Sequence, residues 1–468
     1  MGIMLVLLAY IYDPADWQHY PDFNEIRNFT ADAFHTVYAV TSNAILELDE
    51  QSNLPGKVYT SGQRLPTPIH LALFDNDRHY FWIATEQNLL YTFPVIGGFP
   101  SRIPVSNNGS VERIGLDEKY VYFDFGSAVT AINKYTQSEE QASPGGNVTW
   151  VYSAPTSDIR DKYPFLAPWF ITDIEMYPFN RVFLHRTKAY VSAPGYGYIV
   201  YSTQGWQELT RYRGLKTTGV HSLFTTDGSL YAVGLNGISE LSFDEETFVF
   251  HRFDNWGTTK YETPIWSKGA YSKLRRINFH KFRLIDDYLF LLEGEDAYVL
   301  NIPSGKLSDI VTNRWIYDVD FHEDTLFFAT DEGVFYTSLP DEIPTPLSDE
   351  RTKLTADDVY GIVRGEGARY FWTGRMLVKQ SPEGWKYYTR PSYLPAPQEA
   401  IAGRDSLIIL GGEDGLVIYN PEDYFERRLT KEEGLLSNKV TALHLQDDYL
   451  WIATDAGLQR FDLNAVLP

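Results

Sequence analysis

The chain ends by repeating a pattern that it has already used. Residues 434–462 read GLLSNKVTALHLQDDYLWIATDAGLQRFD, residues 80–93 read YFWIATEQNLLYTF, and residues 325–336 read TLFFATDEGVFY. Each copy sets an apolar alternating run, a small residue, a turn and a second alternating run in the same order. The residue equivalent to Ala453 recurs at Val40, Ala84, Asp124, Ser192, Val233, Leu292, Ala329, Gly374 and Leu410. Seven of the nine successive spacings fall between 36 and 45 residues, and the other two are 68 and 59. A period of that length is one four-stranded sheet per repeat, stacked on its neighbours to bury what one copy cannot bury alone.

The strands can be read within the last copy. Residues 439–445 form an inner strand, 449–454 a second and 458–463 a third, with turns at Asp447, Asp448 and at Asp455, Ala456, Gly457. Such turns favour residues that accept a positive φ or bond their own backbone. Runs such as LWIA are apolar on both faces, as strands are when sheets stack face to face. A fourth strand follows most copies (residues 206–209, 248–251, 385–388, 424–427), but the last copy has none before the chain stops at Pro468. Residues 17–20, WQHY, stand unused ahead of the first copy, so they are expected to complete the final sheet and remove its free edge. The resulting fold is all-β: a β-propeller of about ten four-stranded repeats, read as one ring closed by the N-terminal strand, with two smaller rings divided near 254–274 as the alternative. No helical periodicity persists anywhere.

Composition bounds the function. Hydrophobic residues make up 44% and aromatics 15%, ample for a large core and unlike a disordered chain. A formal net charge of −22 repels polyanions, so nucleic acids and anionic membranes are not expected partners. The absence of cysteine excludes disulfides, thiolate metal sites and a cysteine nucleophile. Residues 3–12, IMLVLLAYIY, are too few to span a bilayer, which takes about 20. They read as a signal peptide or an N-terminal apolar strand at 1–12, although no Lys or Arg precedes them. The expectation is export, with the propeller occupying 13–468.

The closing repeat resembles that of the two-component-regulator propellers, the periplasmic sensor halves of bacterial hybrid histidine kinases and related stand-alone exported proteins. The stretch from DPADW through residue 49, and AYVSAPGYGYIVYS at 189–202, resemble the stand-alone type. The resemblance implies a periplasmic or secreted bacterial ring without catalytic activity that binds a glycan, peptide or protein partner. It implies no cofactor, and oligomeric state is left open.

Two places break the spacing and carry the candidate site. The insertion 153–179 holds Tyr163, Phe165, Trp169, Phe170, Tyr177 and Phe179, with Asp158, Arg160, Asp161 and Asp173 nearby. The insertion 254–273 holds Trp256, Tyr261, Trp266 and Tyr271, with Lys260. Loops beyond about 12–15 residues in a compact domain are usually functional or disordered, and these are too aromatic for disorder. Their rings form either a glycan or peptide platform or a plug of the channel mouth. The early residues of the inner strands give a second set around the axis: His70, Glu112, Arg113, His221, Ser222, Tyr317, Asp318, Tyr360, Glu399 and Thr441. This set holds a polar ligand or simply lines a wet channel.

The carboxylate runs at 75–77, 286–287, 357–358 and 447–448 read as turn residues, since no loop of calcium-binding spacing occurs; no metal site is expected. Motifs for zinc proteases, serine hydrolases, phosphate-binding loops and dinucleotide sites are absent. The leading reading is a non-catalytic exported binding protein. A propeller carbohydrate lyase or hydrolase is the alternative, and a structural part of a surface assembly is a further one.

Overall fold

In a computed structural model, residues 13–467 are described apart from 24, 35, 108, 172–175, 216–218, 227, 236, 245–247, 253–278, 339–343, 348–353, 355–357, 366, 390 and 392–399. The apolar run within 1–12 and the insertion 254–273, with Trp256, Lys260, Tyr261, Trp266 and Tyr271, lie outside the described residues. Among the described residues the chain forms nine four-stranded antiparallel sheets, one five-stranded sheet and one two-stranded hairpin. Nine of the ten repeat markers fall on the second strand of a sheet, and Gly374 lies just past Ala368–Trp372. The strand Tyr449–Thr454 shows why: Leu450, Trp451, Ile452 and Ala453 are all buried, so both of its faces pack. The turn residues Asp286 and Asp447 both sit at φ 51°, the left-handed region that tight hairpins demand.

The sheets fall into two compact units, residues Met1–Gln18 with Thr217–Pro468, and His19–Lys216. In the first, the inner strands Ser222–Thr225, Lys281–Ile285, Ile316–His322, Gly361–Gly365, Ala400–Arg404 and Val440–Gln446 each lie against the next, and the last lies against the first. Six blades therefore close on themselves. Apolar clusters fill successive blade-to-blade spaces, such as Phe224, Tyr231 and Val233 against Phe282, Leu289 and Leu291. The strand Trp17–Pro21 joins the sheet of Val440–Gln446 as its outermost member, beside Gly457–Asp462. Trp17 is buried with its ring 4.4 Å from that of Phe461.

In the second unit, Asn28–Ala31 lies beside Ile69–Asp75, which lies beside Arg113–Leu116, while Arg181–His185 lies against Asn28–Ala31. A fifth strand, Thr149–Tyr152, pairs with Arg113–Leu116 on the side away from the rest of its sheet and touches both Asn28–Ala31 and Ile69–Asp75. Residues 153–179 then pack Ile159, Leu166, Phe170, Tyr177 and Phe179 on Val191, Ala193 and Ile199 of the fourth sheet.

The contacts close six blades on themselves rather than ten, as in the reading with two units, and the division falls at 18/19 and 216/217 rather than near 254–274. Closure of the last sheet by the N-terminal strand occurs as the sequence suggests. It fixes which blade Trp17–Pro21 completes, but not how many blades that ring contains. One carboxylate read as a turn residue has a larger role. Asp75 is fully buried, accepts from Trp82 Nε1 at 3.1 Å and lies 3.3 Å from the ammonium of buried Lys134, which also reaches Asp77 at 2.6 Å. It joins the second and third sheets of its unit.

Candidate functional site

The innermost strand of each four-stranded blade has one edge without a partner strand, and its N–H groups need acceptors. A polar residue early in the preceding inner strand supplies one. Ser222 Oγ accepts from Phe282 N at 2.8 Å, and Asp318 Oδ2 accepts from Ile362 N at 3.0 Å. In the four-bladed unit Asn28 Oδ1 accepts from Ala72 N at 3.2 Å. Polar residues at the start of inner strands thus tie one blade to the next.

The residue just before this position is special as well. Tyr317, Thr441 and His70 are each the extra residue of a β-bulge, paired with nothing on the second strand. A bulge re-aims its side chain, which is why these residues leave the packed faces. His280 Nε2 meets the carbonyl of Ile316 at 2.7 Å, His70 Nε2 meets that of Val111 at 2.9 Å, and Thr441 Oγ1 donates to the carbonyl of Val220. His221 stands where His280 does, each bonding its own N–H to the second strand of its sheet. Its Nδ1 lies 3.1 Å from Ser222 Oγ, but its buried Nε2 has no partner.

Within the six-bladed unit these residues line a cavity of about 950 Å³ to which all six blades contribute. Because every blade has the same strand order, the inner strands run in one direction, and their first residues share one end. That end carries His221, His280, Trp315, Tyr317, Tyr360 and Thr441. The rings of Tyr317 and Tyr360 are 4.9 Å apart, and Trp315 stacks on His280 at 5.3 Å while remaining 47% exposed.

Further along the strands the cavity becomes ionic. Arg283 grips buried Asp318 with two bonds of 2.7 and 2.9 Å, and Lys281 lies 3.2 Å from the same carboxylate. Asp320, also buried, accepts from Arg364 at 2.7 Å and Arg369 at 2.8 Å. Burial pushes the Asp320 carboxyl up, but the bonds and charges of the two arginines outweigh it and hold its pKa below the usual range. Burial, with smaller help from His280 and Lys281, pushes His221 down to about 4. Burial and nearby Arg283 do the same to His444, which contacts Thr225 Oγ1 at 2.8 Å. Both imidazoles are neutral at pH 7.

The candidate residues are distributed as follows. His221, Tyr317 and Tyr360 line this cavity, with Asp318 behind Arg283. His70, Glu112 and Arg113 belong to the four-bladed unit, where Arg113 bonds Asp124 at 2.7 Å and lies over Trp150 at 4.2 Å. Phe170 is a core residue, with ring contacts of 5.3 Å to Tyr177 and 4.5 Å to Tyr196. Tyr163 is half-buried beside Trp206, and Trp169 is exposed. Sequence reasoning missed Lys281, Arg283, Asp320, Arg364 and His444. The readable signal was charge in alternate positions of consecutive inner strands, Lys281 and Arg283 followed by Asp318 and Asp320. No group of metal-ligating side chains converges among the described residues.

No family model and no curated protein matches the sequence. Structural neighbours include extracellular domains of two-component systems, the class that the closing repeat resembles. One, from a hybrid two-component system of B. thetaiotaomicron, aligns with 97% of this chain and 70% of its own at 13% identity and a TM-score of 0.42. Virginiamycin B lyase from Staphylococcus aureus aligns with 60% of this chain and 94% of its own, at 12% identity and 0.37. PorZ, a surface component of the type-IX secretion system of Porphyromonas gingivalis, aligns with 94% of this chain and 57% of its own, at 11% and 0.24. Likeness this distant carries no function across, and the three neighbours have three different roles.

Proposed function

We propose that this is an exported, non-catalytic binding protein that takes a glycan into the axial cavity of its six-bladed unit. The cavity carries the reading. It is closed by blades on all sides, has the volume of a small-ligand site, and sets an aromatic rim over convergent polar groups. Trp315, Tyr317 and Tyr360 offer flat faces at little cost in side-chain entropy. Catalysis is disfavoured because Asp318 and Asp320 are each engaged by two cations, which leaves neither carboxylate free to act on a ligand. A glycan array with wild type and Trp315→Ala tests this: the variant is expected to lose retained glycans, and full retention overturns the cavity as the site. N-terminal sequencing of the mature protein tests export, and an intact Met1 counts against it.

A protein partner is a second reading, favoured by the hairpin of Trp169–Ile171 and Met176–Pro178. Its inner residues Phe170 and Tyr177 are buried, while Trp169, Ile171 and Met176 are exposed. Ile171→Asp is expected to abolish a pull-down that depends on this surface and to leave glycan binding intact.

A further inference from the structure

We infer that the ligand of the axial cavity is acidic, an oligosaccharide whose carboxylate is received by Arg364 in the field of Lys281 and Arg283, with His221 as a separate polar contact on another blade. This rests on the reading of that cavity as a glycan site and narrows it to one class of glycan.

The first ground is which groups lack partners. Among the described residues lining the cavity, two buried side-chain polar atoms have no hydrogen-bond partner, Arg364 Nε and His221 Nε2. Arg364 Nε can only donate. Arg364 spends its Nη2 on Asp320 and on the carbonyl of Phe321, which fixes the guanidinium and leaves the Nε–H over. At His221, Ser222 Oγ already accepts from Phe282 N, so its hydroxyl proton is available to Nδ1. In the tautomer in which Nδ1 takes that proton, the neutral ring carries its own on Nε2, and that nitrogen is a donor too. A buried donor left unmade is costly, so the site is complete only with an acceptor. A neutral sugar hydroxyl brings a proton along with each acceptor, whereas a carboxylate brings acceptors alone.

The second ground is charge. The charged residues lining the cavity are Lys281, Arg283, Arg364 and Asp320. With Asp318 and Arg369 included, two carboxylates face four cations. A chain with a formal charge of −22 has thus gathered a local cation excess in a low-dielectric cleft, which focuses attraction on an anion. The same excess contributes to the neutrality of His221 and His444, through Lys281 and Arg283 respectively.

The test is an array of uronate- and sialate-bearing glycans beside their carboxyl-reduced, neutral counterparts, followed by titration calorimetry on the retained pair. Wild type is expected to bind the acidic form at least about ten-fold more tightly than the reduced form, the value of one bond to a charged group. Arg364→Met is expected to erase that preference, and His221→Phe is expected to weaken both forms alike. Arg364→Lys, which keeps an ion pair with Asp320 but lacks the Nε–H, is expected to reduce it. Circular dichroism and urea midpoints establish that each variant is folded, and Arg364→Lys decides the matter should Arg364→Met fail. Equal binding of both forms, still lost in Trp315→Ala, overturns the acidic ligand and leaves the cavity reading standing. Binding indifferent to Trp315, Arg364 and His221 alike overturns both.

Discussion

Lowering the pH from 7 to 5 is expected to weaken the six-bladed unit through His221 and His444. Burial holds both rings neutral in the fold and pushes each pKa down to about 4. The charged neighbours act in the same sense: Lys281 and His280 at His221, and Arg283 at His444. In the unfolded chain both titrate near 6.5. The folded pKa lies below the unfolded one, so below 6.5 the unfolded chain binds more protons, and stability is lost as pH falls from 6.5 towards 4. At pH 5 an unfolded histidine is almost fully charged while the folded one is almost neutral, which costs roughly 2 kcal/mol per ring, or about 4 for an independent pair. Urea midpoints at pH 7 and pH 5 read this, and the difference between wild type and variant cancels the other titrating groups. His444→Gln keeps a side chain able to bond Thr225 but no longer titrates. It is expected to recover about 2 kcal/mol of the acid loss. Parallel losses in wild type and His444→Gln over this range would refute the claim that burial keeps His444 neutral.

Other expectations concern the packing. Trp17→Ala removes the ring that lies on Phe461 and is expected to cost about 3–5 kcal/mol, read as a lowered melting temperature. Asp318→Ala leaves Arg283, Lys281 and the N–H of Ile362 without their shared acceptor and is expected to cost about 3–5 kcal/mol, with Asp318→Asn milder because it still accepts; chemical denaturation separates the two. Phe170→Ala is expected to destabilise the four-bladed unit by about 3–5 kcal/mol, whereas exposed Trp169→Ala changes its midpoint by less than about 0.5 kcal/mol.

The fold was legible where local pattern and global packing agree. The doubly apolar second strands and the turn aspartates place the sheets to within a residue or two, because a strand buried on both faces leaves few other solutions. The number of rings was not legible. Closure is a matter of which inner strands meet, and Val440–Gln446 carries nothing in its own sequence to say that its neighbour is Ser222–Thr225 rather than Asn28–Ala31. The site was half legible for a related reason. Tyr317 and Thr441 show as early residues of their strands, and that position is what a bulge turns toward the axis. Arg364 and Arg283 show only when the blades are brought together, since each is defined by an aspartate one repeat away. Asp75 misleads in the opposite sense, as a residue with turn chemistry whose partner Lys134 comes from the next sheet.

The six-bladed unit draws its closing strand from the start of the chain and its blades from after residue 216, with all of His19–Lys216 between them. On the ribosome the strand Trp17–Pro21 emerges long before its partner Gly457–Asp462. The four-bladed unit can finish while residues 217–462 are still to be made, as domains made earlier generally do. The larger ring must instead wait for residues 457–462, holding an open sheet edge and an unclaimed tryptophan until they emerge. A ribosome stalled before residue 457 is therefore expected to carry one protease-resistant unit, and emergence of Gly457–Asp462 is expected to create the second.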